Sequence, residues 1–100
     1  MPNHHKIDIR LNGGRVRAEK SAGIRVGDTV TYTSSAGKVR IAFPNGSPYK
    51  VEEVHNMHDH LVHSAGTFEF RCFITPHGAT EEIGWSPKDP DAGGIHEIIP

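Results

Sequence analysis

The amino-acid sequence predicts an all-β domain of the sandwich or barrel type, and three observations lead there. Apolar residues recur at every second position in several short runs. Gly, Pro, Asn and Ser separate those runs at close intervals. No segment carries a 3.6-residue apolar stripe longer than two turns, so at most one short helical turn is expected. Strand-like segments of about 5–8 residues at this spacing imply about 7–8 strands.

Each segment can be justified in order. Ile7, Ile9 and Leu11 alternate with polar neighbours, and Asn12-Gly13-Gly14 then turns the chain into a short segment carrying Val16 and Ala18. Asp28 to Thr33 is rich in β-branched and aromatic residues. Lys38 to Phe43 puts Val39, Ile41 and Phe43 on one face, and the following Pro-Asn-Gly-Ser-Pro reads as turns. Gly66 to Ile74 places Phe68, Phe70 and Cys72 on one face, with Glu69 and Arg71 on the other. The last run, Ile95 to Ile99, follows Gly93-Gly94, and Ser86 to Gly94 is a polar loop. Repeats and linkers are absent from the sequence, so a single domain spanning residues 1–100 is expected.

Composition narrows the function classes. Eleven Lys and Arg against twelve Asp and Glu leave a formal net charge of -1, which provides no electrostatic footprint for nucleic acid or an anionic membrane. No apolar run approaches the roughly 20 residues of a membrane helix. The opening MPNHHKIDIR lacks a signal-type apolar stretch, so the chain as written reads as cytoplasmic, or periplasmic if it is a mature fragment. One cysteine, Cys72, excludes an internal disulfide. Eight histidines are the outlier, and four of them lie between His55 and His63.

Three segments together resemble the cupredoxins, the small blue-copper proteins related to plastocyanin and azurin. Ile24 to Gly37 (IRVGDTVTYTSSAG) resembles an early strand of that family, Gly66 to Gly78 (GTFEFRCFITPHG) the strand and loop that deliver its cysteine and histidine ligands, and Gly93 to Pro100 its closing strand. The resemblance implies a Greek-key sandwich or barrel, copper as cofactor, electron transfer, and a redox partner protein. It maps Cys72 and His77 onto two ligands in a C-x4-H spacing. Two family positions depart from the pattern. The first histidine falls at Lys38 or Val39, neither a ligand here, and Glu81 stands where azurin spacing would put the axial methionine. The implied copper site is therefore altered and not blue.

A supplementary imidazole can be sought in Val54 to His63. If that segment runs antiparallel to the Cys72 strand through Ser64-Ala65-Gly66, then His55, His58 and His60 reach the height of Cys72, and His63 stays near the turn. His58 and His60, on alternate positions, could also chelate zinc, nickel or copper without the cysteine. The plain reading of the cluster is an exposed polar strand edge. Equally plain readings make Cys72 a small buried hydrophobe, His77 a solvated loop residue, Glu81 a surface carboxylate and Trp85 a core or loop-anchoring residue.

Phosphate-loop and nucleophile chemistries find no pattern: Gly13-Gly14-Arg15 lacks a following helix, and no oxyanion hole accompanies a Cys–His pair. No catalytic residue is expected. Two functions remain, an altered copper site with an electron-transfer role and a metal-free interaction or ligand-binding module on the same fold.

Overall fold

The computed structural model describes residues 2–20, 22–55 and 58–100, and among them it contains nine strands and no helix. The strands are β1 (His4–Asn12), β2 (Arg15–Ala18), β3 (Thr29–Thr33), β4 (Gly37–Ala42), β5 (Glu53–His55), β6 (His60–Leu61), β7 (Gly66–Pro76), β8 (Ile83–Gly84) and β9 (Gly93–Ile98). The count exceeds the seven or eight expected because β6 and β8 are two-residue pairings too short to leave a pattern in the sequence.

The strands form two sheets. The first has the order β2-β1-β3-β6; the second runs β5-β4-β7, with β8 and β9 sharing the far edge of β7. The β1–β2 hairpin turns on Gly13 and Gly14, whose φ values of 57° and 79° lie in the left-handed region that such tight turns require. β1 and β3 run parallel, with Ile7 opposite Tyr32. In the second sheet β4 and β7 run antiparallel, with Ile41 opposite Cys72.

The alternation read from the sequence decides what is buried. Ile7, Ile9, Val16, Val30 and Tyr32 of the first sheet join Val39, Ile41, Phe70, Cys72 and Ile74 of the second in one core. Burying a Val or Ile side chain contributes about 1.5–3 kcal/mol, so these positions supply most of the drive to fold. On the outer face of the second sheet, guanidinium groups cover two rings: Arg40 lies 4.1 Å from the Phe73 ring centre and Arg71 lies 3.7 Å from that of Trp85. The backbone N–H of Trp85 donates to the Cys72 carbonyl at 3.0 Å.

One expected pairing is corrected. The histidine-rich segment does not run beside the Cys72 strand. β5 pairs with β4, and β6 pairs with β3 in the other sheet. The N–H groups of His63 and Ser64 both donate to the Pro48 carbonyl, so Ser64-Ala65-Gly66 crosses between sheets and is no hairpin turn. The physical reason is competition for the edges of β7. β4 brings Val39 and Ile41 inward and β9 brings Ile98, whereas the segment from His55 to Leu61 has little apolar surface to bury.

The segment after β2 is joined to the end of β9. Ile99 N–H donates to the Ile24 carbonyl at 2.8 Å, and Val26 N–H donates to the Ile99 carbonyl at 2.9 Å. The carboxylate of buried Asp28 accepts from the Asn3 N–H (2.9 Å), the Arg25 N–H (3.0 Å) and His5 Nε2 (2.8 Å). The backbone bond from Asn3, then the His5 and Arg25 contacts, hold its pKa down at about 2.

Candidate ligand cleft at the open seam

The residues expected to bind metal occupy different parts of the fold. Cys72 is fully buried in the middle of the second sheet, on the inward face with Phe70. Burial pushes its thiol pKa up to about 12, which keeps the thiolate that a metal needs from forming at neutral pH. His77 is exposed, and its Nε2 sits 3.1 Å from the Ser35 carbonyl oxygen. The strand continues from Cys72 to Pro76 before the turn that carries His77, which places about 13 Å of extended backbone between the two. A C-x4-H pair converges only if the strand ends at the cysteine and the loop folds back over it.

The remaining candidates do not close that gap. His55 is exposed on β5 and stands opposite Arg40, and Glu81 is exposed in the loop before β8. His58 is exposed with its ring centre 6.4 Å from that of His60, and His60 belongs to the first sheet opposite Val30. At the family's first-histidine position, Lys38 is exposed and Val39 is core. Metal–nitrogen and metal–sulfur bonds run at about 2.0–2.3 Å, and donors dispersed in this way do not fit one copper ion. Among the described residues no group of three or more His, Cys, Asp or Glu side chains could hold a metal ion.

A different residue carries the polar chemistry of the interior. His96 on β9 is 4% exposed, its ring stacked on Phe70 at 4.1 Å between centres and 15° between planes. Gly94 leaves the Phe70 ring room, because a Cβ there would lie 3.1 Å from it, a tight contact the ring would have to shift to relieve. His96 Nε2 is 3.0 Å from the Tyr32 hydroxyl, which in turn is 2.7 Å from the Tyr49 hydroxyl. Burial lowers the His96 pKa to about 4 and raises that of Tyr49 to about 12, so all three groups are neutral at pH 7.

The donors in this line can be ordered by satisfaction. If Tyr49 donates to Tyr32 and Tyr32 donates to His96 Nε2, every hydroxyl proton is used. The reverse order strands the Tyr49 proton, because among the described residues no other group accepts it. An unused donor costs about 1–3 kcal/mol in a buried site, so the first order wins. Nε2 is then the acceptor, and the ring proton resides on Nδ1.

His96 borders a cleft. No fully buried side-chain nitrogen or oxygen among the described residues lacks a partner, and Nδ1 has none, so it reaches accessible space. The space that His96 borders is a cleft of about 420 Å³ where the end of β2 and the residues after it face the start of β9. Phe70 and His96 form its floor, Gly94 and Ile95 one wall, and Arg17 and Lys20 the other. This volume falls in the usual range for small-molecule sites, about 300–1,000 Å³.

Sequence reasoning missed His96, Tyr32 and Tyr49 as a unit. The alternation of β9 gave no usable signal, because Ile95 and Ile99 share the exposed face with Glu97 and outnumber buried Ile98. No family model, curated protein or solved structure matches the chain. The class the coordinates define is thus an all-β, two-sheet module with a polar-floored cleft at its open seam.

Proposed function

We propose that this chain is a cupredoxin-like sandwich that works as a metal-free ligand-binding module, with the seam cleft as its site. The observation that carries the reading is His96: a nine-tenths-buried imidazole, fixed on one side by a tyrosine pair, with its other nitrogen unpartnered at a cleft floor. A polar atom at the edge of a cleft of ligand size is available to a ligand that displaces the water there. The cupredoxin relationship is supported by the order of the three resembling segments and by the inward placement of Cys72. The alternative of an altered copper site with a redox partner protein finds less support, because its donors are dispersed.

Two measurements test the proposal. Amide chemical-shift titration with small probes (phenol, benzamide and 3-phenylpropionate) is expected to move Gly93 to His96 and Arg17 to Lys20 with at least one probe. A copper competition titration is expected to give the same affinity for the parent, Cys72→Ala and His77→Ala proteins. Loss of tight copper binding in both variants, together with an unmoved cleft, would restore the copper reading.

A further inference from the structure

We propose that the free edge of β9 is a docking site for an extended, uncharged peptide segment of a partner protein, which pairs as an added strand at Ile95 and Glu97. The inference rests on the ligand-binding reading above and names the class of ligand that the cleft and its continuation take.

The register fixes which backbone groups are on offer. Cys72 N–H donates to the Ala92 carbonyl, so in the antiparallel β7–β9 ladder Gly94, His96 and Ile98 turn their N–H and C=O groups toward β7. Ile95, Glu97 and Ile99 turn theirs the other way. At Ile99 the chain itself fills that edge, with bonds to the Ile24 carbonyl and from the Val26 N–H. Among the described residues nothing continues this pairing at Glu97 or Ile95. Two rungs about 7 Å apart therefore stand open beside one that is already made.

The space beside these rungs is shaped for a strand. The cleft bordered by Gly94, Ile95 and His96 adjoins, at Ile95, a second space of about 330 Å³ lined by Ala22, Gly23, Ile95, Glu97 and Ile99. Together they follow the edge of β9. A small molecule meets one rung, whereas extended backbone repeats its donors and acceptors at the spacing needed to meet both. Charges around the first space cancel, Arg17 and Lys20 against Glu19 and Asp91, so they select no ion. The side chains of an added strand alternate between the Phe70–His96 floor, beside Gly94, and the outer face, where Ile95 is 64% exposed. Apolar and hydroxyl side chains suit both.

The test titrates the amide shifts of the protein with acetyl-Thr-Val-Thr-Val-Thr-amide and with two N-methylated forms, one methylated at the valines and one at the threonines. Each form keeps every side chain and strips N–H groups from one edge of the strand. The unmethylated peptide is expected to move the Ile95 and Glu97 amides, and one methylated form to bind about tenfold more weakly than the other. Ile95→Pro removes an outward N–H and leaves the ladder to β7 intact, so it should weaken the peptide about tenfold as well. Equal binding of the two methylated forms to the parent protein would overturn strand addition, whatever Ile95→Pro does to folding. Peptide that moves nothing while phenol or benzamide still moves the cleft would overturn the peptide and leave the ligand-binding reading standing; no response to any probe would overturn both. Self-association in sedimentation that Ile95→Pro abolishes would assign the edge to a second copy of this chain and overturn the partner segment.

Discussion

Asp28 and His96 are both buried polar residues on the rim of the same sandwich, and they end differently. Asp28 takes two backbone N–H groups and the His5 ring, and its charge is answered on every side. His96 is answered by Tyr32 on one nitrogen alone. A buried group with all its partners supplied by the chain ties elements together, as Asp28 ties the start of β1 to the turn before β3. One left with a free donor over a cleft has bonding capacity to offer to something else. Completeness of satisfaction therefore separates architecture from function more sharply than burial does, since the two residues are 2% and 4% exposed.

The largest effect should come from breaking the saturated node. Asp28→Ala leaves its donors facing an apolar methyl group and should destabilise the protein more than any single change at His96, read as the urea midpoint at pH 7. The depressed pKa of Asp28 also fixes a pH window. Its stabilising contribution is complete above the ordinary carboxylate value of 3.8 and is lost as pH falls toward about 2. Asp28→Asn should flatten stability across that interval; an unchanged slope would mean that the three contacts carry no weight.

The open node has its own window at higher pH. The folded state keeps His96 neutral down to about 4, whereas the unfolded chain takes up the proton near 6.5. Between these values the unfolded chain binds more protons, so stability falls as pH drops through them, by about 3 kcal/mol in all. Urea unfolding at pH 7 and pH 4.5 in the parent and in His96→Phe checks this. The variant should lose most of the dependence, whatever its absolute stability.

The smallest effect sharpens the comparison most, because it tests the order of donors. Tyr32→Phe removes both the acceptor for Tyr49 and the donor to His96, and should cost about 2–3 kcal/mol. Tyr49→Phe leaves only a lone pair on Tyr32 unused and should cost about 1 kcal/mol. Equal losses, or a larger loss for Tyr49→Phe, would reverse the line and put the ring proton on Nε2.

How much of this was legible depended on local pattern. β3, β4 and β7 announce themselves by alternation, and Cys72 lies inward as the phase of Phe68, Phe70 and Cys72 requires. Partner choice was illegible: nothing in His55 to Leu61 records that β9 displaces it from the edge of β7. β9 itself was misleading in phase, since Ile95 and Ile99 outnumber Ile98 yet are 64% and 39% exposed. Tyr49 lies in a turn-rich stretch with no strand pattern, so its burial beside Tyr32 follows from tertiary packing alone. The Tyr49–Tyr32–His96 line was invisible for the same reason, because its three aromatic residues come from a loop, β3 and β9.

The segment from Ile24 to Thr29 has a consequence for the timing of assembly. Thr29 N–H donates to the carbonyl of Asn3, and Val26 N–H to that of Ile99, so one short stretch clasps residues far apart in the sequence. During synthesis the Asn3 clasp can close early, but the Ile99 clasp and the whole of β9 follow only after β3 to β8 have been made. Until then Phe70 lacks its stacking partner, and one edge of β7 stands bare as a template for neighbouring chains. A topology so dependent on distant pairings belongs with the slower folders, in the range of about milliseconds to seconds. Shortening the chain from the Ile99 side should therefore harm yield through aggregation of nascent protein before it harms the stability of whatever does fold.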